Sequence, residues 1–289
     1  MEKAITIKQA LHKATEALKS QGIEEASLEA EILLRHILGL SRTELYIRLE
    51  EGLSLKQVQE LNRLVRRRLN HEPIAYITET KEFYGLDFYV NPRVFIPRPE
   101  TELLVEQVLK MIQKRPRASC LIADVGTGSG AIAISLAVNL PQAKIYAVDL
   151  SPLALEVAAM NCRKHEVTAQ VHLLQGNLLE PLPEPVDFIV ANLPYVSDLE
   201  MNKLSDEIRR FEPLLALSGG RDGLKVIRPF LAQAKAKLRG KGTILLEIAP
   251  EKREAVIQIA AEQFPEATVE VIPDLSGHER VIAIQNVKC

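Results

Sequence analysis

The chain has 289 residues, of which 47% are hydrophobic and 26% charged, and its formal net charge is −2. This is the composition of an ordinary globular protein, and the small net charge gives no overall attraction to nucleic acid. No apolar run reaches membrane-spanning length or forms a signal core, which predicts a cytoplasmic protein. Cys120, Cys162 and Cys289 are far apart and lack metal-ligand spacing, so we expect reduced thiols and no metal site.

Residues 1–72 are predicted to form a small helical bundle. Apolar residues recur at helical spacing in four segments joined by short connections. The expected boundaries are Ile7 to Leu18 with a stop at Gly22, a helix headed by Ser27 and ended by Gly39, a short helix opened by Ser41, and a longer helix from Ser54 to Leu69.

Three consecutive arginines, Arg66, Arg67 and Arg68, lie near the end of that last helix. Cations are favoured at a helix C-terminus, so the run predicts a solvated face. The alternative is a patch that docks an RNA or ribosomal partner, and the run is also our candidate for docking a protein substrate.

From Pro73 the composition changes to aromatic and β-branched residues. The segment Pro73–Val90, with a polar turn at Glu79 to Lys81, predicts a β-hairpin that joins two domains. A proline-rich loop, Phe95–Glu102, then leads into a helix over Leu103 to Ile112.

After Arg117 the pattern alternates between strands and helices. This alternation predicts an α/β domain with a doubly wound, mainly parallel sheet. The strands are expected at 121–125, 144–148, 170–174, 187–191 and 243–248, followed by a final pair at 268–272 and 281–285.

A glycine-rich loop follows the first of these strands and opens a helix over Ala131 to Val138. Its residues are Asp124, Val125, Gly126, Thr127, Gly128, Ser129 and Gly130. Glycines allow a sharp turn and a close approach of backbone to a ligand. The spacing differs from the G-x-G-x-x-G pattern of dinucleotide-binding enzymes, and simple tight turning is the alternative.

Polar residues stand at the ends of the next two strands. Asp149 could accept hydrogen bonds from both hydroxyls of a ribose, or it could cap the helix that starts at Ser151 and Pro152. Asn177 follows the third strand, where an adenine could be recognised, although it could equally be an ordinary turn residue.

The fourth strand ends in Asn192, Leu193, Pro194 and Tyr195, which we call the clamp. Asn192 offers a side-chain carbonyl, and Leu193 offers a backbone carbonyl that the following proline holds extended. Tyr195 adds a flat aromatic face. Together these groups could bind a planar –NH₂ group, which is found in adenine, cytosine and carboxamides.

Glycine loop, ribose acid, adenine-reading residue and clamp follow one another in an order that resembles the class I S-adenosylmethionine-dependent methyltransferases. The clamp alone leaves the acceptor open. Asn-Pro-Pro-Tyr occurs in adenine-N6 DNA methyltransferases and in glutamine-N5 protein methyltransferases, and Asn-Leu-Pro-Tyr occurs in ribosomal RNA adenine dimethyltransferases.

Further segments resemble the release factor glutamine methyltransferases (the PrmC/HemK family) along nearly the whole chain. They are Glu72–Ile77, Glu82–Phe88, Ile96–Glu102, Glu212–Pro213, Ala216–Leu224 and Asp274–Val281. The helical domain precedes the catalytic one, whereas the RNA dimethyltransferases carry theirs after it. Leu193 replaces the usual first proline of the clamp, and Glu79 and Ala249 stand where the family has glycines.

This resemblance implies a Rossmann-like, mainly parallel seven-stranded sheet with an N-terminal helical bundle joined by a β-hairpin. The implied domains are 1–72 (substrate docking), 73–93 (hairpin linker) and 94–289 (methyltransferase). It implies S-adenosyl-L-methionine as cofactor and S-adenosyl-L-homocysteine as product. The implied cofactor-binding residues are Gly126, Thr127, Gly128, Ser129, Gly130, Asp149, Asn177 and Asn192.

The implied reaction is methylation of the glutamine side-chain nitrogen in the Gly-Gly-Gln motif of class I peptide-chain release factors. Asn192, Pro194 and Tyr195 would be catalytic, and Leu193 would join them in binding the substrate. We expect a monomer with no membrane partner and no direct nucleic-acid partner. The alternatives are an adenine-N6 methyltransferase acting on rRNA or DNA, and a non-catalytic cofactor-binding protein of the translation machinery.

Overall fold

The computed structural model describes residues 5–113 and 120–285. The chain divides into two compact units: residues up to Glu79 together with Asp206–Phe211, and Thr80–Ser205 together with the chain from Glu212 onwards. Arg117, where the strand–helix alternation was predicted to begin, and the thiol of Cys289 lie outside the described residues.

The helices and strands are numbered in chain order. The helices are α1 (Ile7–Lys19), α2 (Ala26–Leu38), α3 (Arg42–Ile47), α4 (Leu55–Leu69), α5 (Ile74–Thr78), α6 (Glu102–Gln113), α7 (Ala131–Asn139), α8 (Pro152–Lys164), α9 (Asp198–Met201), α10 (Asp206–Phe211), α11 (Leu214–Leu217), α12 (Ile227–Lys237) and α13 (Arg253–Gln263). The strands are β1 (Thr80–Phe83), β2 (Leu86–Tyr89), β3 (Leu121–Val125), β4 (Lys144–Asp149), β5 (Val171–Gln175), β6 (Val186–Ala191), β7 (Val196–Ser197), β8 (Ser218–Gly220), β9 (Leu238–Glu247), β10 (Thr268–Pro273) and β11 (Glu279–Gln285).

The first unit is helical, as predicted, and its helices begin where side chains can cap them. Thr6, Ser41 and Ser54 each form a reciprocal capping box with a Gln or Glu three residues later. Gly39 ends α2 in the left-handed conformation. The helix α2 begins one residue before Ser27, so this serine lies in the first turn rather than at the cap.

Arg68 is buried, and the prediction of a solvated arginine face is wrong at this residue. It lies seven residues after Leu61 and four after Leu64, so it shares the inward-facing side of α4. Its guanidinium donates to both carboxylate oxygens of Glu29, at 2.6 and 3.0 Å, and lies 3.1 Å from Glu207 of α10. Two acidic partners offset the cost of burying this charge.

The hairpin is shorter than predicted. Residues 74–78 form the helix α5 rather than a strand, and β1 pairs with β2 around a turn at Tyr84 and Gly85. Both turn residues have positive φ, which matches the twist of a two-residue hairpin. Glu79 ends α5 with φ 55°, a conformation that costs about 1 kcal/mol without glycine, which explains why glycine is usual there.

The second unit contains a seven-stranded sheet in the order β10-β11-β9-β6-β3-β4-β5. The four pairings that join β9, β6, β3, β4 and β5 are parallel, and β11 is antiparallel to both of its neighbours. All seven predicted strands are present within two residues except that β9 begins five residues earlier, at Leu238. The predicted fold class is confirmed.

Within residues 5–113 and 120–285, none of the helices combines the length and apolar character needed to cross a membrane.

Candidate functional site

Parallel strands end together at one edge of the sheet, and polar residues gather there. Asp124 is the penultimate residue of β3, and Asp149 is the last residue of β4. Asn192 directly follows β6, and Glu247 is the last residue of β9. In an open α/β sheet this carboxyl edge is where ligands bind. The sequence-predicted residues therefore share one edge, and the structure adds Glu247 to them.

The glycine loop is held tightly against the second strand. The N–H groups of Gly126 and Thr127 both donate to the carbonyl of Val148, at 2.9 and 3.0 Å. The buried carboxylate of Asp124 accepts from the Thr127 hydroxyl at 2.6 Å and from the Ala133 N–H at 3.2 Å. Asp124 thus fixes the loop to the start of α7, a role that the sequence reasoning did not assign to it.

The glycines of this loop differ in what surrounds them. Gly126, Gly128 and Gly130 all have positive φ. A Cβ on Gly130 would lie 2.9 Å from the Ile134 side chain, so this glycine is required for packing. The nearest atom to a Cβ on Gly128 would be the Gly126 carbonyl oxygen, at 4.0 Å, which leaves room for a ligand.

Asp149 hydrogen-bonds to the glycine loop through its side chain. Its Oδ2 accepts from the Gly128 N–H at 2.9 Å, and its Oδ1 accepts from the Ser151 N–H at 2.9 Å. Burial raises the pKa of Asp149, and these backbone hydrogen bonds partly offset that effect. Ser151, not Asp149, caps α8. Each carboxylate oxygen retains a second lone pair for a ligand hydroxyl.

Asn177 is exposed, in the turn that follows β5. Its Nδ2 donates to Glu180 at 3.0 Å, and the preceding Gly176 N–H donates to the Asp149 carbonyl at 3.1 Å. The turn is therefore joined to the end of β4, and the side-chain Oδ1 of Asn177 is available as an acceptor.

The clamp lies directly against the glycine loop. A Cβ on Gly126 would lie 3.3 Å from the Leu193 side chain and 3.5 Å from the Asn192 carbonyl oxygen. Leu193 is 3% exposed and its side chain belongs to the core, so only its backbone can face a ligand. The structure thus places the predicted cofactor loop and the predicted substrate clamp so close together that a single added Cβ would bridge them.

Asn192 is oriented by the proline-rich loop. Its Nδ2 donates to the hydroxyl of buried Thr101 at 3.0 Å, across 91 residues of sequence. Glu212, which is buried, accepts from the Ile96 N–H at 3.2 Å and pairs with the Arg98 guanidinium. These contacts explain why the Ile96–Glu102 and Glu212–Pro213 segments occur together.

Tyr195 packs against the core and is surrounded by charged groups. Burial raises the pKa of Tyr195 to about 12, and the nearby Glu247 carboxylate adds to this, opposed by Arg280 and Arg98. Asp274 accepts from the Arg280 guanidinium at 3.0 Å and thereby positions that charge. The phenol is thus held neutral, as an aromatic wall rather than a base.

The segment Ala216–Leu224 packs against the backbone at the end of the clamp. The strand β7, which follows Tyr195, pairs with β8 inside this segment. A Cβ on Gly219 would lie 2.7 Å from the Gly223 backbone, and a Cβ on Gly223 would lie 2.4 Å from the Tyr195 carbonyl oxygen. Both glycines are therefore needed to let two backbones approach.

We expect Gly223→Ala to reduce the methyl transfer that the sequence predicts at least tenfold, because the added Cβ would displace the Tyr195 backbone. Unfolding free energy should fall by about 1–3 kcal/mol, since Gly223 has φ +81° as well as this clash. Gly22→Ala is the matched control: Gly22 has φ +75° with open space around it. Equal losses of activity in both variants, measured as kcat beside thermal unfolding, would contradict the assignment.

Glu247 and Thr101 were not assigned a role from the sequence. Glu247 hydrogen-bonds to both Thr101 and Asn192, and burial raises its pKa to about 7. The signal that could have found it is the one that found Asn192, because Glu247 ends the strand that pairs with β6. No group of three or more His, Cys, Asp or Glu suited to a metal ion occurs within the described ranges.

Residues 9–78 match the family model described as PrmC N-terminal domain, and residues 101–210 match that of ribosomal protein L11 methyltransferase (PrmA). The chain is 43% identical over 277 residues to the release factor glutamine methyltransferase of Moorella thermoacetica, covering 96% of this chain and 97% of that protein. The chain belongs to the release factor glutamine methyltransferase family.

One further relative agrees with this membership, and one solved structure shares the fold. The release factor glutamine methyltransferase of Geobacter sulfurreducens is 39% identical over 253 residues, which is 87% of each chain. A solved methyltransferase of Pyrococcus furiosus is 18% identical with a TM-score of 0.52, covers 79% of this chain and 99% of that one, and shares the fold. The chain is a methyltransferase with the class I fold.

The family's usual glycine at position 249 is not required by the backbone here. Ala249 has φ −76° and ψ 141°, which any residue adopts. Leu193 likewise keeps the backbone carbonyl that a proline would offer, and its side chain fills core space beside Gly126. Both substitutions are therefore compatible with the local structure.

Proposed function

We propose that this methyltransferase transfers a methyl group from S-adenosyl-L-methionine to the N5 nitrogen of the glutamine in the Gly-Gly-Gln motif of class I release factors. The observation that carries the proposal is the close approach of the clamp to the glycine loop, because the methyl donor and the acceptor must lie next to each other. Family membership supports the amide substrate, since relatives of this length are named for release factor glutamine.

The glycine loop and its surroundings fit the cofactor. The space beside Gly128 would admit the aminocarboxypropyl or ribose portion of the cofactor close to the backbone. The second lone pairs of the Asp149 carboxylate oxygens would accept hydrogen bonds from the ribose hydroxyls. We propose Gly126 to Gly130 and Asp149 as its binding residues, with Asn177 near the adenine. When bound, the cofactor supplies a methyl group that its sulfonium already activates.

The clamp would do the remaining work by positioning. An amide nitrogen is a weak nucleophile because its lone pair is delocalised, so aiming it matters more than removing its proton first. Asn192 Oδ1 and the Leu193 carbonyl would accept the two amide N–H bonds. Both are fixed dipoles that stabilise positive charge developing on nitrogen. Pro194 would hold the loop and Tyr195 would pack on the amide plane.

The test is an assay with radiolabelled cofactor and purified release factor, with rRNA and DNA as parallel substrates. We expect label in the release factor alone, located on the motif glutamine by mass spectrometry. A release factor with that glutamine changed to alanine is the control. Label in RNA or DNA would favour the adenine-N6 alternative, and no label in any substrate would favour a non-catalytic protein.

We propose that the helical unit docks the body of the release factor. Of the three arginines, Arg67 pairs with Glu72 at 2.5 Å and Arg68 is buried against Glu29, which leaves Arg66 exposed for a partner. This narrows the predicted docking run from three residues to one.

We expect Arg66→Glu to raise the KM for intact release factor about two- to fivefold, because peripheral charge pairs contribute about 0.5–1 kcal/mol. The kcat, and the KM for a short Gly-Gly-Gln peptide, should not change. Lys56→Glu, an exposed reversal near the start of the same helix, is the control. A KM that stays at the wild-type value in Arg66→Glu would contradict docking through this residue.

A further inference from the structure

Thr101 links two groups whose chemistry differs. Its hydroxyl oxygen accepts a hydrogen bond from Asn192 Nδ2 at 3.0 Å, and Thr101 also hydrogen-bonds to Glu247. A hydroxyl has one proton to donate. The proton that Thr101 gives to the carboxylate is therefore unavailable to Asn192, and the chain of hydrogen bonds has a direction.

That direction decides which end of the Asn192 side-chain amide faces the substrate. The oxygen and nitrogen of an asparagine amide are nearly equal in size, so hydrogen bonding fixes its orientation. A carboxylate can only accept, so Thr101 donates to it and accepts from Nδ2, which turns Oδ1 outward. A direct hydrogen bond between Asn192 and Glu247 reinforces the same orientation.

A protonated Glu247 would allow the opposite arrangement. Its O–H could donate to Thr101, whose own proton would then be free for Asn192 Oδ1. Nδ2 would face the substrate, and its N–H bonds would meet the N–H bonds of the substrate amide, with donor facing donor. The protonation state of Glu247 thus selects between a binding and a repelling clamp.

We propose that Glu247 is a positioning residue that, as a carboxylate, directs the Thr101–Asn192 hydrogen-bond chain so that Asn192 presents Oδ1 to the substrate amide. This inference rests on the proposed function, because it assumes an –NH₂ group as the methyl acceptor. Glu247 is 4% exposed, and its Oε2 is buried without a hydrogen-bond partner among the described residues. The carboxyl is therefore free to take up a proton inside the protein.

The charges around Glu247 set where it titrates. Its pKa is raised to about 7: burial is the largest cause and Glu100 adds to it, whereas Thr101, Arg280 and Asn192 act in the opposite direction. Tyr195, whose own pKa Glu247 raises, stays neutral in this range. We therefore expect kcat with release factor to fall about tenfold per unit as the pH drops below 7.

Variants of three residues should change the acidic limb of this pH profile, which is the fall of kcat below pH 7, in different ways. Glu247→Gln should abolish it and lower kcat about tenfold, because a neutral amide does not enforce one orientation. Glu100→Gln should shift the limb to lower pH, because Glu100 raises the pKa of Glu247, and Thr101→Val should weaken the limb, because it removes the link to Asn192. Asp124 also has a pKa of about 7, so the variants and not the wild-type profile decide. A Glu247→Gln profile with the wild-type limb would overturn the proposal.

A measurement without substrate separates this proposal from the proposed function. The side-chain NH₂ signal of Asn192, identified by its loss in Asn192→Ala, should titrate near pH 7 in wild-type protein and not in Glu247→Gln. Titration without release factor methylation would leave the hydrogen-bond chain supported and the substrate wrong. If Glu247→Gln fails to fold, half-buried Glu100 offers the second test, and an unshifted titration in Glu100→Gln would overturn the inference.

Discussion

Asn192→Ala is expected to reduce the kcat for release factor methylation by about 10²–10³-fold, the loss typical of removing one fixed dipole from a reacting centre. The variant loses Oδ1, which would hold one amide N–H, and the Nδ2 contact to Thr101. Cofactor affinity should stay within a few-fold, because the backbone carbonyl is the part of Asn192 that faces the Gly126 position, and the substitution keeps it. Single-turnover kinetics and cofactor titration measure the two quantities separately.

Leu193→Ala is the matched control for that variant. It keeps the backbone carbonyl and removes a buried side chain, so unfolding free energy should fall by about 2–5 kcal/mol. At a temperature where the variant remains folded, its kcat should stay within a few-fold of wild type. If Asn192→Ala methylates release factor at the normal rate, or if Leu193→Ala is the more damaging to kcat, the division of roles within the clamp is wrong.

Asp149→Ala is expected to weaken S-adenosyl-L-methionine binding roughly 100-fold or more. Two hydrogen bonds from ribose hydroxyls to a carboxylate contribute about 1.5–3 kcal/mol each, and 1.4 kcal/mol corresponds to tenfold in affinity. Calorimetry with the purified protein measures this loss directly. Saturating cofactor should restore much of the kcat, because the clamp is unchanged.

The same substitution also removes the acceptors of the Gly128 and Ser151 N–H groups, so a loosened loop could weaken binding by another route. A cofactor analogue without ribose hydroxyls separates the two effects. If Asp149 binds the ribose, Asp149→Ala should cost far less affinity for the analogue than for the cofactor. An equal loss for both ligands would assign Asp149 to the loop alone.

The order of polar residues at strand ends could be predicted because parallel strands end together. Buried strands give apolar runs, and Asp149 and Asn192 interrupt them where each strand stops. The glycine loop followed from the same logic. The close approach of Gly126 and Leu193 could not be predicted, because it depends on how near β3 and β6 stay beyond their last pair, Val125 and Ala191.

The sequence predictions failed where the local preference of a residue differs from its place in the fold. Ile74 to Thr78 are rich in residues that favour strands, yet they form a helix whose Ile77 joins the core of the helical unit. Arg68 reads as a surface cation, but its spacing from Leu61 and Leu64 places it inside. Glu247 was missed for another reason: its partner Thr101 lies 146 positions earlier, and no local sequence pattern links the two residues.

The helical unit has a consequence for how the protein is made. One of its elements, α10, follows the clamp, and residues 80–205 of the other unit intervene. During synthesis the first five helices leave the ribosome long before α10 exists, so Arg68 must be held by Glu29 alone until Glu207 arrives. The unit is therefore finished only after β6 and the clamp have been translated, and a nascent chain stopped before Asp206 would carry an incomplete helical unit.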